Sequence, residues 1–271
     1  MLTRRLIVCL DVKGSRVVKG VQFEGLRDVG DPVALAEYYE HEGADEITFL
    51  DISATAEERA TLLDIARRTA ERLFVPLTIG GGIRSADDVA RALRAGADKI
   101  SLNSAAVTRP ELLTEAAERF GAQCVVASID AKQCADGAWR VWVTGGREET
   151  ALDAVAWAQE CVARGAGEIL LTSIDRDGAR SGYDLALTRA VSDAVSVPVI
   201  ASGGAGQSSH LVDAVLEGGA DAVLVAGILH DGVTTVHALK TCMANAGLPM
   251  RMTMTPAMSG LPVRMTMEPA I

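Results

Sequence analysis

Eight short apolar runs, spaced along nearly the whole chain, constrain the fold more than any other feature. Each has the length and composition of a β-strand, and a segment with helical spacing, such as ADDVARALRAGA, lies between most of them. Runs that are apolar on both faces are typical of parallel strands covered by helices. In chain order they are LIVCLD, EITFLD, VPLTIG, DKISLN, CVVASID, EILLTSID, VPVIAS and DAVLVAG.

The chain also repeats itself. LIVCLDVK resembles VVASIDAK, VPLTIGGGI resembles VPVIASGGA, and AGADKISLNSA resembles GGADAVLVAGI, so runs one, three and four match runs five, seven and eight. The repetition predicts an α/β fold, a closed (β/α)8 TIM barrel built from two similar (βα)4 halves, as a single domain over residues 1–246. An open doubly wound sheet is the alternative, but no G-x-G-x-x-G fingerprint follows the first strand.

Glycines that end helices support this pattern. Five segments place a glycine just after a helical stretch, where a left-handed residue stops the helix before the next strand. The segments are HEGADEI, RAGADKI, RFGAQCV, ARGAGEI and EGGADAV.

Two strands that are otherwise apolar end in a carboxylate. Asp11 closes the first run and Asp130 closes the fifth, so in a barrel they stand at the C-terminal mouth on opposite sides of the rim. Opposed carboxylates suit acid and base work on one substrate held between them. The alternative is that each aspartate caps its loop or pairs with a nearby lysine, Lys13 or Lys132.

Further rim carboxylates follow the second and sixth strands. Asp51 and Asp175 are related by the half repeat, and Asp177 follows in DRDG. They serve either to contact substrate or to fix their loops, for instance through Arg176.

Glycine clusters follow the third and seventh strands and predict two phosphate sites. Bare backbone amides can approach an anion, and the helix that begins next adds a partial positive charge. The strands that come after each cluster add further amides and polar groups. The candidate residues are Gly80, Gly81, Gly82, Asn103 and Ser104 on one side, and Gly203, Gly204, Gly206, Ala226 and Gly227 on the other. The sequence therefore predicts a long ligand with a phosphate at each end.

Composition and spacing exclude several other classes. A formal net charge of −10 argues against nucleic acid or an anionic membrane as a partner. No apolar run is long enough to span a bilayer, and the N-terminal run meets charged residues too soon for a signal peptide, so we expect a cytoplasmic protein. None of the four histidines ends a strand, and no group has metal-ligand spacing, so we expect neither metal nor cofactor.

Over about residues 1 to 245 the chain resembles the cyclase subunits of imidazole glycerol phosphate synthases, from histidine biosynthesis. LLTSIDRDG followed by SGYD, together with the opening CLDVK, separates this family from its closest relative, the isomerase that precedes it in the pathway. The resemblance rests on CLDVK, VVKGVQF, LRDVGDP, FLDIS, IGGGIR, SLNSAAV, SIDAK, GAGEILLTSIDRDGARSGYD and ASGGAG.

The resemblance implies a lyase and cyclase that uses ammonia. Such barrels receive ammonia from a glutaminase subunit, forming a heterodimer through the N-terminal face of the barrel. They cleave a bisphosphorylated ribulosylformimino aminoimidazole carboxamide ribonucleotide and close the imidazole ring. The products are imidazole glycerol phosphate and aminoimidazole carboxamide ribotide. No segment of this chain resembles a glutaminase nucleophile with its His and Glu partners, so we expect the enzyme to need another polypeptide or free ammonia.

The resemblance also assigns residues. The essential aspartates of the family fall on Asp11 and Asp130, and a mobile loop lysine falls on Lys19, whose alternative role is a solvated charge. The phosphate contacts fall on Gly82, Asn103, Ser104, Asp177, Gly178, Gly204, Ala226 and Gly227. A charged ring that closes the barrel floor and admits ammonia falls on Arg5, Glu46, Lys99 and Glu168, although ordinary surface charge would also explain these four.

The chain departs from the family in three places. Gly14 and Ser15 stand where Asp-Gly is usual, and Gly227 replaces a serine. Residues 247–271 contain a tandem repeat, in which GLPMRMTMTPAMS is followed by GLPVRMTMEPAI, and we expect this tail to be poorly ordered or loosely docked. Two other functions remain open at this point: the related isomerase, and a catalytically silent phosphate-binding barrel.

Overall fold

A computed structural model describes residues 2–21, 24–52 and 56–253. The motifs VVKGVQF and FLDIS end outside these ranges, and so does the second copy of the tail repeat. In chain order the strands of the described part are β1 (Arg5–Lys13), β2 (Arg16–Val21), β3 (Glu24–Gly30), β4 (Glu46–Asp51), β5 (Leu77–Gly80), β6 (Lys99–Leu102), β7 (Val125–Gln133), β8 (Trp139–Val143), β9 (Glu148–Asp153), β10 (Glu168–Ser173), β11 (Val199–Ser202) and β12 (Ala222–Val225).

Eight of these strands close into a parallel barrel. The ring runs β1, β4, β5, β6, β7, β10, β11 and β12, and β12 pairs with β1 again. Every neighbouring pair in the ring is parallel. The barrel predicted from the eight apolar runs is thus confirmed, and each run corresponds to one of the eight strands.

Helices connect the barrel strands. They are α1 (Pro32–His41), α2 (Ala56–Ala70), α3 (Ala86–Arg94), α4 (Ser104–Thr108), α5 (Glu111–Phe120), α6 (Ala154–Ala163), α7 (Leu185–Ala194), α8 (Ser208–Leu216), α9 (Gly227–His230) and α10 (Val236–Asn245), with a 3-10 turn at Ala122–Cys124. None of the helices in the described part of the chain is long and apolar enough to cross a membrane.

The five glycines predicted to end helices all adopt a left-handed backbone. Their φ angles are positive, a backbone conformation that residues with a side chain rarely adopt. They are Gly43 (φ 102°), Gly96 (φ 105°), Gly121 (φ 93°), Gly165 (φ 102°) and Gly219 (φ 73°).

Two antiparallel excursions interrupt the simple βα pattern, and the sequence analysis missed both. β2 and β3 extend β1 before α1, and β8 and β9 extend β7 before α6. Each excursion leads into a helix that an aspartate caps, Asp31 for α1 and Asp153 for α6. The twofold repeat therefore includes these excursions as well as the barrel strands.

Alternation along the strands decides which residues face the barrel interior. Leu6, Val8 and Leu10 pack outward in the core beneath the helices, while Ile7 and Cys9 belong to the cluster inside the barrel. The interior cluster consists of Ile7, Cys9, Val126, Leu170, Ile200, Ala222 and Leu224. By the same alternation Arg5 faces inward at the bottom of β1, and Asp11 faces inward at its top.

The first residues of the tail lie across the N-terminal face of the barrel. The amide of Arg4 donates to the carbonyl of Pro249 at 2.7 Å. The side chain of Arg251 donates through Nε to Asp45 Oδ1 at 2.9 Å. Lys240, which is only 2% exposed, donates to the same carboxylate oxygen at 2.8 Å. Residues 247–253 are thereby joined to the start of β1 and to the loop before β4.

We expect Arg251→Ala to lower the free energy of unfolding by about 1 kcal/mol, because it removes bonds to Asp45 and to the carbonyl of Ala44 from a half-exposed side chain. Urea unfolding of both proteins at pH 7 measures the difference. Arg119→Ala, which breaks an exposed pair with Asp87, should cost less than about 0.5 kcal/mol. Equal losses in the two variants would show that the tail contact contributes nothing specific.

Candidate active site

Asp11 and Asp130 lie at opposite sides of the barrel mouth. β1 and β7 are four positions apart in the ring of eight in either direction, so their ends face each other. The two aspartates also have equivalent registers: Asp11 pairs with Leu50 of β4, and Asp130 pairs with Thr172 of β10. The structure thus brings the two carboxylates to one rim, in the arrangement that the repeat predicted.

Asp130 is buried and accepts a side-chain hydrogen bond from Asn103. Asn103 Nδ2 donates to its Oδ2 at 2.8 Å. Burial raises the pKa of Asp130 to about 6, the bond from Asn103 opposes this, and the negative charge of Asp177 adds to it. The group therefore exchanges a proton near neutral pH, as a general base or acid must.

Asp11 has a different neighbour. Lys19 Nζ lies 3.8 Å from Asp11 Oδ2, and Cys9 Sγ lies 3.8 Å from Oδ1. Burial raises the pKa of Asp11, while the charge of Lys19 opposes the rise. The cation beside Asp11 is thus Lys19, the predicted loop lysine, while Lys132 places its ammonium 5.1 Å from the ring centroid of Trp142.

The two glycine clusters occupy equivalent places, and both require glycine. A Cβ on Gly81 would lie 2.3 Å from the carbonyl oxygen of Asp51, and one on Gly203 would lie 2.7 Å from that of Ser173. Their φ angles are +88° and +86°. Each loop therefore passes close to the end of the neighbouring strand, where a side chain on the glycine would not fit.

The residues after β6 and β12 share an unusual backbone conformation. Asn103 (φ −121°, ψ −101°) and Ala226 (φ −136°, ψ −78°) each precede a short helix, α4 and α9. The first amides of a helix have no partner within it, so the amides that follow Asn103 and Ala226 have equivalent places at the starts of α4 and α9. The symmetry proposed for the two phosphate sites is thus present in the backbone.

The repeat relation between Asp51 and Asp175 was wrong. Val12 and Ala131 are equivalent in the repeat, because each follows its aspartate. Val12 pairs with Asp51 and Ala131 pairs with Ser173, so the repeat partner of Asp51 is Ser173. Asp175 lies two residues further on. Its Oδ2 accepts a hydrogen bond from the amide of Gln133 at 2.8 Å, which fits the loop-fixing interpretation.

The loop after β10 brings the other predicted residues to the rim. The amide of Asp177 donates to the carbonyl of Ser173 at 3.0 Å, and Gly178 turns the chain with φ 74°. The amide of Gly182 donates to the carbonyl of Gly204 at 2.9 Å. Asp177 and Gly178 therefore lie in a loop that is tied to the second glycine cluster.

Arg180 was missed by the sequence analysis. A Cβ built on Gly227 would lie 3.6 Å from Lys19 Cε and 4.0 Å from Arg180 Nη2, so two cationic side chains border this turn. Arg180 is anchored by Asp231, which also pairs with Arg27 of β3. The basic residue in GARSGYD was the signal that could have found it.

Four charged residues form a closed ring at the opposite end of the barrel. Each stands at the first position of a barrel strand: β1, β4, β6 and β10. Arg5 donates to Glu46 at 2.6 Å and to Glu168 at 2.5 Å, and Lys99 donates to the same two glutamates at 2.9 Å each. The glutamate side chains are 5% and 7% exposed.

Mutual pairing explains how these charges tolerate burial. Burial disfavours the charge on Arg5, but Glu168 and Glu46 outweigh it, and its pKa is raised. The interpretation of Arg5, Glu46, Lys99 and Glu168 as unrelated surface charges does not hold, because each cation bridges both anions.

A buried histidine lies behind Asp11 but outside the rim. His230 Nδ1 shares a hydrogen bond of 2.8 Å with Tyr39 Oη, and Nε2 lies 3.0 Å from the carbonyl oxygen of Cys9. Burial lowers the pKa of His230 to about 4, so it is neutral at physiological pH. Its contacts fasten α9 to β1, which is a structural role.

The fold and site define a class of protein: a twofold-repeated (β/α)8 barrel with opposed carboxylates at its mouth and a ring of charges at its floor. Within that class, the chain belongs to the histidine biosynthesis protein family, which matches residues 5–235. It is 75% identical, over 251 residues, to the protein of Myxococcus xanthus (strain DK1622) named imidazole glycerol phosphate synthase subunit HisF. The alignment covers 93% of this chain and 99% of that relative.

Proposed function

We propose that this protein catalyses the cyclase step of histidine biosynthesis, as a lyase that acts with ammonia. Its substrate is the bisphosphorylated ribulosylformimino aminoimidazole carboxamide ribonucleotide, and its products are imidazole glycerol phosphate and aminoimidazole carboxamide ribotide. The observation that carries the proposal is the pair of opposed rim carboxylates between two equivalent glycine turns. The 75% identity to a synthase subunit supports the same reaction.

The two glycine turns bind the two phosphates. One turn contains Gly81, Gly82, Asn103 and Ser104, and the other contains Gly203, Gly204, Ala226 and Gly227, with Asp177 and Gly178 in the adjoining loop. A ligand anchored at both ends spans the mouth and passes between the aspartates. Such anchoring holds the reacting part of the substrate in place, so it does not have to reorient before the protons are transferred.

The aspartates move the protons that the reaction requires. Addition of ammonia, cleavage of a carbon–nitrogen bond and closure of the ring each need one group to give a proton and another to take one. Asp130, with a pKa of about 6, is ionised at pH 7 to 8 and serves as the main base. Asp11 serves as the main acid, and Lys19 lies close enough to steady its charge after the proton has left.

Ammonia enters through the charged ring at the floor. The ring has two positive and two negative members, so it carries no net charge. A partner that docks on the N-terminal face delivers ammonia directly to it. The relative's name, a subunit of a synthase, supports a partner subunit, and the family resemblance leads us to propose that this partner is a glutaminase. The docking face includes the tail segment 247–253, which crosses it.

The alternative functions have less support. The related isomerase shares the half repeat and the two aspartates, but the closed ring and the name of the relative favour the cyclase. A catalytically silent scaffold does not require a carboxylate whose pKa is raised toward neutrality, as the pKa of Asp130 is. We also propose a cytoplasmic location, which suits a biosynthetic enzyme that acts on phosphorylated metabolites.

One assay tests the proposed function. The purified chain, without any partner, is incubated with the ribulosyl substrate and an ammonium salt at alkaline pH, and substrate consumption is followed by absorbance. We expect imidazole glycerol phosphate as a product. A sugar rearrangement without uptake of ammonia would identify an isomerase, and no turnover would identify a binding protein.

We expect kcat/KM to fall below about pH 6 when free ammonia is held at one low concentration. Asp130 has a raised pKa, so it takes up a proton as the pH drops through about 6 and can no longer act as a base. A pH profile of the ammonia-dependent reaction measures the midpoint. A midpoint at or below about pH 4.5, near the ordinary value for aspartate, would remove Asp130 as the base.

A further inference from the structure

Trp142 lies on the pocket side of the β7–β8 ladder, next to Asp130. The two residues are directly paired in this antiparallel ladder, and paired residues project to the same face. Lys132, two residues beyond Asp130, shares that face, and its ammonium lies 5.1 Å from the centroid of the Trp142 ring. A cation at this distance from an aromatic ring attracts it and helps fix its orientation.

The same strand is fastened to the first phosphate turn. The amide of Thr144, two residues after Trp142, donates to Ser104 Oγ at 3.0 Å. Trp142 is therefore placed between Asp130 on one side and the turn that begins at Ser104 on the other.

Two polar atoms around Asp130 are buried without a partner. Among the described residues, the indole Nε1 of Trp142 has no acceptor and Asn103 Oδ1 has no donor. The other amide atom of Asn103 is engaged with Asp130. Buried polar groups are nearly always paired in folded proteins, and here an unpaired donor and an unpaired acceptor belong to two residues that both adjoin Asp130, which is not true of Trp139. A hydroxyl group can satisfy both, because it accepts through its oxygen and donates through its hydrogen.

We propose that Trp142 is a specificity-determining residue that recognises a hydroxyl of the phosphorylated sugar chain beside Asp130. Its indole N–H donates to the hydroxyl oxygen, and the hydroxyl donates to Asn103 Oδ1. Lys132 holds the indole in place from the outer side. This inference rests on the proposed function for the identity of the substrate, while the recognition of a sugar phosphate can be tested without it.

Trp139 provides a matched control. It lies on the same strand and its Nε1 is also buried without a partner. Trp139 and Trp142 differ by an odd number of positions, so they project to opposite faces. Trp139 packs against the outer core, which contains Val141 and Trp157.

The first test is the kinetics of Trp142→Phe, which keeps an aromatic ring and removes the donor. We expect KM for the ribulosyl substrate to rise about tenfold with kcat changed less than about threefold, since the lost bond is made in ground and transition states alike. Trp139→Phe should leave both constants unchanged. Unchanged KM in an active Trp142→Phe enzyme would overturn the inference and leave the proposed function standing.

The second test is ligand binding measured by isothermal titration calorimetry, whose signal does not depend on the replaced indole. Ribulose 5-phosphate, with hydroxyls, should bind the unmodified protein and Trp139→Phe equally, and Trp142→Phe about tenfold more weakly. Inorganic phosphate, without a carbon-bound hydroxyl, should bind all three proteins equally. If the unmodified enzyme shows no turnover but this binding pattern holds, the proposed reaction fails and the recognition of a sugar hydroxyl stands. Equal binding of ribulose 5-phosphate to all three proteins would overturn it.

Discussion

Asp130→Asn should lower kcat by a factor of about 10³ and, at the same time, make the folded protein more stable at neutral pH. Asparagine cannot accept a proton at the pH of the reaction, and general acid–base groups typically contribute factors of about 10² to 10⁴. Substrate binding should persist, because the phosphate turns are untouched. Steady-state kinetics and direct binding of substrate measure the two effects separately.

The gain in stability follows from the raised pKa. The folded protein binds a proton at Asp130 with a pKa of about 6, while an unfolded chain binds it near the ordinary aspartate value of about 4. Between these values the folded state holds the proton and the unfolded state does not, so stability falls as the pH rises through this window. Asparagine carries no such penalty, and the gain at pH 7 to 8 should be on the order of 1 to 3 kcal/mol.

The control applies the same chemical change to a helix-capping aspartate, Asp153. Asp153→Asn should keep both activity and stability, because asparagine caps a helix about as well as the aspartate that accepts from the amides of Val155 and Ala156. Near-normal kcat in Asp130→Asn would contradict the role of base. Loss of substrate binding together with turnover would show that the side chain positions the ligand instead.

Arg5→Met should lower the free energy of unfolding by about 3 kcal/mol. The substitution leaves Glu46 and Glu168 with Lys99 as their shared cation, and both carboxylates are nearly buried. Removing one partner from a buried ion pair typically costs about 3 to 5 kcal/mol, and the partial exposure of Arg5 places this case at the low end. Chemical denaturation at pH 7 gives the difference.

The preceding residue is a suitable comparison. Arg4 pairs with Asp221, but both side chains are at least a third exposed, so Arg4→Met should cost less than about 1 kcal/mol. If Arg5→Met proved equally mild, the four charges would have to be solvated in solution, and the ring would not be a closed floor.

Local patterns along the chain were enough to predict the barrel. The barrel strands are apolar on both faces, and five of the seven helices that precede a barrel strand end at a glycine, so the βα unit repeats with little ambiguity. The positions of Asp11 and Asp130 followed from the same repetition, since a strand end in a barrel is also a rim position. The charged ring could be predicted only from the family resemblance. A charged residue at the start of a strand looks the same in the sequence whether its side chain is buried in an ion pair or exposed to solvent.

The remaining features depend on contacts that sequence spacing does not encode. WRVWV is a short β-type run outside the eight, and only the closure of the barrel shows that it extends β7 over the pocket. Register, which matches Asp51 with Ser173, is fixed by hydrogen bonds between strands and differs from the relation suggested by the motifs. Arg180 reaches its site through a loop in a left-handed conformation, with φ 55°.

The hydrogen bond between Arg4 and Pro249 has a practical consequence for engineering. It sets the first and last described segments side by side, on the face of the barrel opposite the rim. A short linker could therefore join them, and new ends could be opened in an exposed connection elsewhere. A circular permutant of this kind would keep every rim residue in its native surroundings while freeing the N-terminal face from chain ends.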